Sequence, residues 1–434
     1  MSKQYEEYKD SGIEWLGEIP SHWGISFLKH TADFVNGAAF KPESWQDEGI
    51  PIVRIQNLNG SQDFNYVDPS LEVNRNCYLS GGELLFSWSG NIGTSFGPFF
   101  WQEEREAYLN QHIFKVTNYE LHTRYFYWLL RAVTKYIESK THGIIGMVHI
   151  TKKELGGIPI PKISYEEQEA IGDYIDYKTG QIDKLIAQKE ELMKLLQKKR
   201  QAIINEAVTQ GLNPDAPRRD SGIQWLGEIP AHWEVSKIKR IAQVKRGASP
   251  RPIDDEKYFD EEGEYAWVRI SDVTASNKYL ERTEESLSEL GSSLSIKMNP
   301  GDLFLSIAGS VGKPIITNIK CCIHDGFVWF EDLDIDREFL YYIFLSGEAF
   351  KGLGKLGTQL NLNTETVGSI DIAIPPQDEI KAIVEYLNNQ TSKLDSLLGE
   401  LRSQILKIKS YRQSIISEVV TGKVDVRDVV LNEV

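Results

Sequence analysis

Two short stretches of this 434-residue chain have residue types and spacing that resemble catalytic motifs. Gly309-Ser-Val-Gly-Lys-Pro314 is close to a phosphate-binding loop, in which backbone amides and a Lys hold the phosphates and a Ser or Thr holds Mg²⁺. However, Ile307 occupies the position of the first required Gly, and Pro314 replaces the Ser or Thr. Glu138-Ser-Lys140 has the Glu-x-Lys spacing of some nucleases, but it ends a predicted amphipathic helix. We therefore predict a turn at the first stretch and a solvated turn at the second.

The motifs expected for methyl transfer, metal binding and cofactor binding are missing from the sequence. Asn213-Pro214-Asp215 does not complete an Asn-Pro-Pro-aromatic motif for amino-methylation, and no glycine-rich cofactor loop follows a predicted strand. The eight His include no His-x-x-x-His pair. His22 and His232 lie within a repeated phrase, which indicates packing or capping rather than metal binding. We therefore expect a non-catalytic protein with no metal and no cofactor of its own.

The elements that position any binding residues come in two copies. DSGIEWLGEIPSHW at residues 10–23 and DSGIQWLGEIPAHW at residues 220–233 are identical at 12 of 14 positions and lie 210 residues apart. Solenoids and propellers repeat every 20 to 50 residues or so, so this repeat is a whole domain with its attachment. Short β-rich segments joined by Gly turns recur in the same order after each phrase, followed by aromatic helices predicted at about 123–137 and 336–350.

Each copy ends in a predicted long helix with an apolar stripe. The stripe residues recur at steps of three and four, which is the seam of a coiled coil. In the first helix they are Ile182, Ile186, Met193, Leu196, Ile203 and Ala207, and in the second Leu394, Leu398, Leu401, Ile405, Ile408, Ile415 and Val419. Because such a helix is unstable alone, we expect the two to pack against each other.

Composition and charge place the chain among ordinary globular proteins. It is 41% hydrophobic and 26% charged, and it has no run of about 18 apolar residues, which predicts a cytoplasmic protein. Cys77, Cys321 and Cys322 suit neither a disulfide framework nor a zinc site. The net charge of −15 argues against nucleic acid, but residues 235–253 hold six basic side chains and no acid.

The repeated phrases resemble those of the specificity (S) subunits of type I restriction-modification systems. The resemblance covers nearly the whole chain. It is carried by the two Gly-Glu-Ile-Pro-x-His-Trp phrases, Gly-Thr-Gln-Leu-Asn at 357–361, Pro-Pro-x-x-Glu at 375–379, and Arg-Gln-x-Ile-Ile-x-Glu-x-Val-Thr at 200–209 and 412–421.

This resemblance implies an α+β fold: two β-rich α/β target recognition domains in pseudo-twofold tandem repeat, separated by two long antiparallel coiled-coil helices. The implied domains are recognition domain 1 at 1–157, helix region 1 at 158–212, recognition domain 2 at 213–371 and helix region 2 at 372–434. Each recognition domain would read one half of a bipartite site on double-stranded DNA. The helices would set the spacer and dock two methyltransferase (M) subunits, with restriction (R) subunits completing the complex.

DNA contact would then rest on basic and amide side chains, because phosphate contacts fix position and base edges supply sequence. For the second domain the predicted DNA-binding residues are Lys245, Arg246, Arg251, Lys313, Gln359 and Asn361. For the first they are Asn57, Asn91, His149, Lys152 and Lys153. Arg54 and Arg269, each flanked by apolar residues, are equally compatible with a structural salt bridge and with a DNA contact.

Two alternative functions remain open at this level. A coiled-coil scaffold with two divergent domains would bind two proteins and no nucleic acid, and the Gly-Thr-Gln phrase and the basic segment argue against it. A stand-alone DNA-modifying enzyme is disfavoured because the catalytic motifs are missing.

Overall fold

The computed structural model describes residues 3–140, 147–351, 353 and 362–431. The chain divides into two compact units: residues 1–189 with 403–434 form unit 1, and residues 190–402 form unit 2. Among the described residues, no helix is both long enough and apolar enough to cross a lipid bilayer.

Unit 1 contains fourteen of the described strands, arranged mainly in two four-stranded sheets, β10-β8-β12-β4 and β6-β5-β11-β7. The strands are β1 Tyr8–Asp10, β2 Glu18–Pro20, β3 Gly24–Phe27, β4 Asp33–Asn36, β5 Ile50–Val53, β6 Asn65–Val67, β7 Tyr78–Leu79, β8 Glu83–Ser87, β9 Ser89–Asn91, β10 Gly97–Trp101, β11 Ala107–Leu109, β12 Ile113–Thr117, β13 Met147–His149 and β14 Pro159–Lys162. The helices are α1 Ile55–Leu58, α2 Thr123–Lys140, α3 Lys152–Gly156 and the start of α4 Tyr165–Gln210.

Unit 2 repeats this architecture with a five-stranded sheet, β18-β26-β23-β24-β20, and a four-stranded sheet, β21-β19-β25-β22. The strands are β15 Arg218–Asp220, β16 Glu228–Pro230, β17 Glu234–Lys237, β18 Gln243–Arg246, β19 Tyr265–Val268, β20 Tyr279–Leu280, β21 Glu285–Leu287, β22 Ile296–Met298, β23 Leu303–Ser306, β24 Pro314–Thr317, β25 Cys321–Ile323, β26 Phe327–Glu331 and β27 Asp371–Ile374. The helices are the end of α4, α5 Ile238–Ile241, α6 Ile270–Ala275, α7 Glu289–Ser293, α8 Arg337–Leu345, α9 Thr364–Gly368 and the start of α10 Gln377–Val420, whose end belongs to unit 1.

The long helices α4 and α10 contribute residues to both units, and within each unit they pair. In unit 1, Lys189 donates to Gln404 at 2.7 Å and Arg412 donates to Asp183 at 2.8 Å. Residue numbers along α4 therefore rise in the direction in which those along α10 fall. The pairing is therefore antiparallel. In unit 2, Arg200 and Asp395 form the ion pair at the corresponding positions, with Nε and Oδ1 2.8 Å apart. Most of the predicted stripe residues are buried, and Met193, Leu196, Ile203 and Ile408 are half-buried.

The repeated phrase folds into a β-hairpin followed by a buried tryptophan. β1 pairs with β2 and β15 with β16, both antiparallel. In the loop of the first hairpin, Asp10 accepts a hydrogen bond from the amide of Gly12, and Gly12 and Gly17 have φ values of +69° and +59°. L side chains rarely adopt such φ values, which explains the two Gly of the phrase.

The tryptophan of each phrase joins the beginning of one long helix to the end of the other. In unit 1, the Trp23 indole donates to Glu167 in the first turn of α4 at 3.0 Å. A Cβ on Gly422, just past the end of α10, would lie 2.8 Å from the same ring. We call Trp23, Glu167 and Gly422 the tryptophan seat of unit 1.

The tryptophan seat of unit 2 consists of Trp233, Glu379 and Gly211. The Trp233 indole donates to Glu379 in the first turn of α10 at 2.9 Å, and a Cβ on Gly211 would lie 3.0 Å from the ring. His22 and His232 also hydrogen-bond to these Glu residues. The repeated sequence phrase therefore forms the junction between a domain and the long helices.

The fold-class prediction is confirmed, with two corrections of detail. The second aromatic helix, predicted at 336–350, ends at Leu345 because Gly347 turns the chain with φ +69°. The solvated turn predicted at Glu138-Ser-Lys140 is wrong. These residues belong to α2, and Glu138 is buried and accepts the amide of Gly93 at 2.7 Å. Gly93 lies 45 residues before Glu138, so nothing local in the sequence connects the two.

Candidate nucleic-acid interface

Two of the predicted basic residues of unit 2, Arg246 and Arg251, converge on one aspartate. Arg251 donates from a terminal nitrogen to Asp325 Oδ2 at 2.9 Å, and Ser249 donates to Oδ1 at 3.1 Å. Arg246 Nε donates to the backbone carbonyl of Asp325 at 2.6 Å. Burial opposes ionisation of Asp325, but the Ser249 hydrogen bond and the charges of Arg251 and Arg246 outweigh it and hold the pKa of this carboxyl below its usual value.

A close backbone contact fixes this arginine cluster to the turn that carries Asp325. Gly247 donates to the carbonyl of Phe327 at 3.0 Å, and Ala248 donates to that of Ile323 at 3.1 Å. A Cβ on Gly247 would lie 2.1 Å from the carbonyl oxygen of His324, so only Gly fits. The His324 ring accepts the amide of Gly326 at 2.9 Å, and burial lowers its pKa, which favours the neutral ring that accepts.

Unit 1 builds the same turn with different side chains. Gly37 donates to Ile113 at 3.1 Å and Ala38 to Leu109 at 2.8 Å, and a Cβ on Gly37 would lie 2.3 Å from backbone oxygens. The strand registers make Asn36 the counterpart of Arg246, because Asn36 pairs with Phe114 and Arg246 with Val328. The same registers make Gln111 the counterpart of Asp325.

Several predicted residues of unit 1 lie beside this turn. β13 pairs antiparallel with β9, which places His149 opposite Ser89 and Met147 opposite Asn91. His149, Lys152 and Asn36 line one cavity of about 470 Å³ with the aromatic side chains of Phe34, Trp88 and Phe114. Asn91, His149, Lys152 and Lys153 are all exposed. This surface is therefore neutral to basic and partly aromatic.

The other predicted residues have partners within their own unit or lie outside the described part. Lys313 is half-buried and donates to the carbonyls of Thr274 and Ser276 at 3.0 and 2.7 Å, and burial lowers its pKa. Lys245 forms an ion pair with Glu331. Gln359 and Asn361 lie outside the described residues.

Asn57 has a capping role in unit 1. It is 7% exposed, accepts the amide of Arg54 at 3.0 Å and donates to the carbonyls of Ser61 and Asp63, also at 3.0 Å. Asp272 caps α6 in the same way through the amide of Arg269. We therefore assign Asn57 to helix capping.

Arg54 and Arg269, at equivalent positions, have different partners. Arg269 donates from Nε to the Glu285 carboxylate at 2.5 Å, and this hydrogen bond and the negative charge of Glu285 raise the pKa of the guanidinium. Arg54 lies with its guanidinium carbon 5.1 Å from the ring centroid of Trp45. The salt-bridge alternative therefore holds for Arg269, and a cation–π contact replaces it at Arg54.

The two motifs with catalytic spacing lie in a turn and in a helix. Gly309-Ser-Val-Gly-Lys-Pro314 forms the turn between β23 and β24, as predicted. Across residues 3–140, 147–351, 353 and 362–431, no group of three or more His, Cys, Asp or Glu side chains is placed to hold a metal ion.

The comparison with protein families decides the identity of this fold. The model for the type I restriction modification DNA specificity domain matches the chain twice, at residues 20–194 and 230–407. The chain belongs to this family.

Relatives within the specificity family span its whole length. The type I restriction enzyme MjaVIII specificity subunit of Methanocaldococcus jannaschii is 23% identical over 447 residues, covering 97% of this chain and 98% of the relative. The EcoBI specificity subunit of Escherichia coli is 22% identical over 439 residues, covering 96% and 90%. A solved chain from a study of assembly and conformational transition in the type I R-M system shares the fold, with a TM-score of 0.70 and 16% identity over 93% of this chain and 98% of that one.

In this specificity-family fold, three residues that matter at the turns were missed from the sequence: Asp325, Asn36 and Gln111. Asp325 is acidic and lies 74 residues from Arg251, so nothing local connects them. The signal that could have found Asn36 is the Gly-Ala dipeptide that follows both Asn36 and Arg246. Aligning the two copies on that dipeptide would have matched Asn36 with Arg246.

Proposed function

We propose that this chain is the DNA-recognition subunit of a type I restriction-modification complex, in which each unit reads one half of a bipartite site. One observation carries the proposal: two copies of the same turn, built on the same close backbone contact, present different side chains in the two units. A duplicated scaffold with divergent tips suits two readers of different sequence. The names of the relatives agree, since they are specificity subunits of type I restriction enzymes.

The partners follow from the same proposal. Methyltransferase subunits would supply methyl transfer, and restriction subunits would supply cleavage, in the cytoplasm where cellular DNA lies. Each unit leaves large apolar side chains exposed on its part of the long helices, which is typical of protein-interaction surfaces. They are Leu185, Leu406 and Tyr411 in unit 1, and Leu192, Leu195 and Leu397 in unit 2. A pure protein scaffold without DNA is not favoured, because the family is one of DNA specificity domains.

The chain alone is expected to show no methyl transfer to DNA and no DNA cleavage, because it lacks the motifs for either reaction. Adding the methyltransferase subunits should restore methyl transfer, measured as radiolabelled methyl groups transferred from S-adenosylmethionine to duplex DNA. The methyltransferase subunits without this chain serve as the control and should show little site-specific transfer. Turnover by the purified chain alone would contradict the non-catalytic role.

The spacer between half-sites should respond to the length of the long helices. Four residues inserted after Glu190 and four after Arg402, where Lys189 and Gln404 face each other in unit 1, extend both helices by about 6 Å and rotate them by about 40°. One base pair adds about 3.4 Å and about 35°. We therefore expect a spacer longer by one or two base pairs with both half-sites unchanged, read from the methylated motif.

The control for this experiment is an insertion in one helix only. An insertion after Glu190 alone moves Asp183 and Arg200 apart while Arg412 and Asp395 stay in place, so both ion pairs cannot form together. That variant should lose activity. An active double insertion with an unchanged spacer would show that the helices do not measure the site.

A further inference from the structure

The equivalent turns of the two units differ in the chemistry of their exposed side chains. Unit 2 places Arg246 and Asp325 where unit 1 places Asn36 and Gln111. The backbone contact that holds the turn is the same in both units. A Cβ placed on Gly37 or on Gly247 would lie only 2.3 or 2.1 Å from a backbone carbonyl oxygen. The substitutions therefore change what the turn presents without changing how it is held.

The two arginines of unit 2 are held but not saturated. Arg251 uses one terminal nitrogen for Asp325, and its side chain is still 70% exposed. Arg246 uses Nε for a backbone carbonyl, which leaves both terminal nitrogens for another partner, and it is exposed. A guanidinium anchored on one edge presents its other edge in a fixed direction.

A fixed, exposed guanidinium edge matches one base in particular. Two N–H donors side by side fit the O6 and N7 acceptors of guanine in the major groove, whereas adenine presents an acceptor beside a donor. A phosphate contact would not need the anchoring carboxylate, which repels phosphate. Asp325 is therefore better explained by base reading than by backbone binding.

Resting on the proposed function, we propose that unit 2 reads a guanine through Arg246 and Arg251, with Asp325 as the positioning residue. In unit 1, the amide of Asn36 at the equivalent position matches the acceptor and donor of adenine, and Gln111 replaces the carboxylate. The half-site of unit 2 thus contains a G·C pair read in the major groove. That of unit 1 contains an A·T pair read at the corresponding place.

The test uses the complete complex of this chain with its methyltransferase subunits, bound to duplexes that contain its methylated motif. The half-site of unit 2 is identified as the one that changes when residues 239–369 are exchanged for the same region of a relative. Replacing one guanine there by 7-deazaguanine removes the N7 acceptor and keeps base pairing. We expect this single change to weaken binding by about 5- to 100-fold. 7-Deazaadenine in the half-site of unit 1 should act likewise.

Variants separate base reading from folding and from phosphate binding. R251Q or R246Q should lose the sensitivity to 7-deazaguanine while keeping the wild-type response to 7-deazaadenine in the other half-site. D325N removes a negative charge, so binding to unrelated DNA should stay equal or strengthen. Its preference for the motif over unrelated DNA should fall about 10-fold, which a merely structural defect would not produce.

Three results would overturn the inference while leaving the proposed function intact. The first is a half-site of unit 2 that contains no G·C pair. The second is binding to 7-deazaguanine duplexes that equals binding to guanine duplexes at every position. The third is an equal loss of affinity for all DNA in R246Q and R251Q. A complex with no sequence-specific binding at all would instead reject the proposed function.

Discussion

Exchanging residues 239–369 for the same region of a relative is expected to change one half of the recognised DNA site and leave the other half unaltered. These residues leave and rejoin unit 2 between β17 and β27, whose antiparallel pair forms a two-stranded neck. The Lys237–Asp371 ion pair, 2.8 Å long, lies on the retained side of both junctions. The exchange therefore replaces the arginine turn and keeps the tryptophan seat of unit 2.

The measurement is the methylated motif of cells that carry the exchanged chain with its methyltransferase. The matched control is the exchange of residues 29–157, which lie between β3 and β14 in unit 1. It should change the other half-site. A single exchange that altered both half-sites, or the same half-site in both chimeras, would refute independent readers.

Replacing Trp23 by Ala is expected to cost about 3–5 kcal/mol of unfolding free energy in unit 1, as for other buried Trp residues. Trp23 is fully buried, with its indole nitrogen on Glu167 and its ring against Gly422. The substitution would open a cavity where α4 begins and α10 ends. Trp233, 1% exposed in the equivalent seat, should behave similarly in unit 2. Chemical denaturation followed by circular dichroism gives the loss.

Tyr165 supplies the control, since it begins α4 but is 54% exposed, and its replacement by Ala should cost less than about 1 kcal/mol. W23F keeps an apolar ring and loses only the indole donor, so it should lie between the two. Equal unfolding midpoints for W23A and Y165A would show that the repeated tryptophan is not a structural anchor.

The two seats also differ in a way that the same assay can measure. The Glu167 side chain is 5% exposed and accepts from Tyr5, His22 and Trp23, whereas that of Glu379 is 43% exposed. Burial and the Glu167 hydrogen bond raise the pKa of Tyr5, which therefore remains a donor. E167A leaves buried donors unpaired and should cost about 1–3 kcal/mol, while water can replace the carboxylate in E379A, which should cost less.

The sequence predicted the parts of the molecule that have an internal repeat or a periodic apolar pattern. The stripe from Ile182 to Ala207 predicted α4, and the repeated phrase predicted two copies of one domain. The boundaries given for the four domains stay predictions. What the sequence did not reveal depends on contacts between distant residues. Glu167 reaches Trp23 across 144 positions, and nothing local marks that pair.

The candidate site shows the same limit more sharply. The basic segment drew attention to Arg246 and Arg251, but the partner that orients them is Asp325, which a search for positive charge discards. Asn57 was predicted to contact DNA because amides can read bases, yet its amide caps α1. An exposed polar side chain and a buried capping one look alike in a sequence, and only the fold separates them.

The most direct test of the central claim is to read the DNA methylation of a cell with and without this chain, keeping its methyltransferase partner in both. We predict one methylated motif that depends on the chain, with two short defined half-sites separated by a spacer of fixed length and no defined sequence. A motif that persists without the chain, or a single uninterrupted site, would contradict the account.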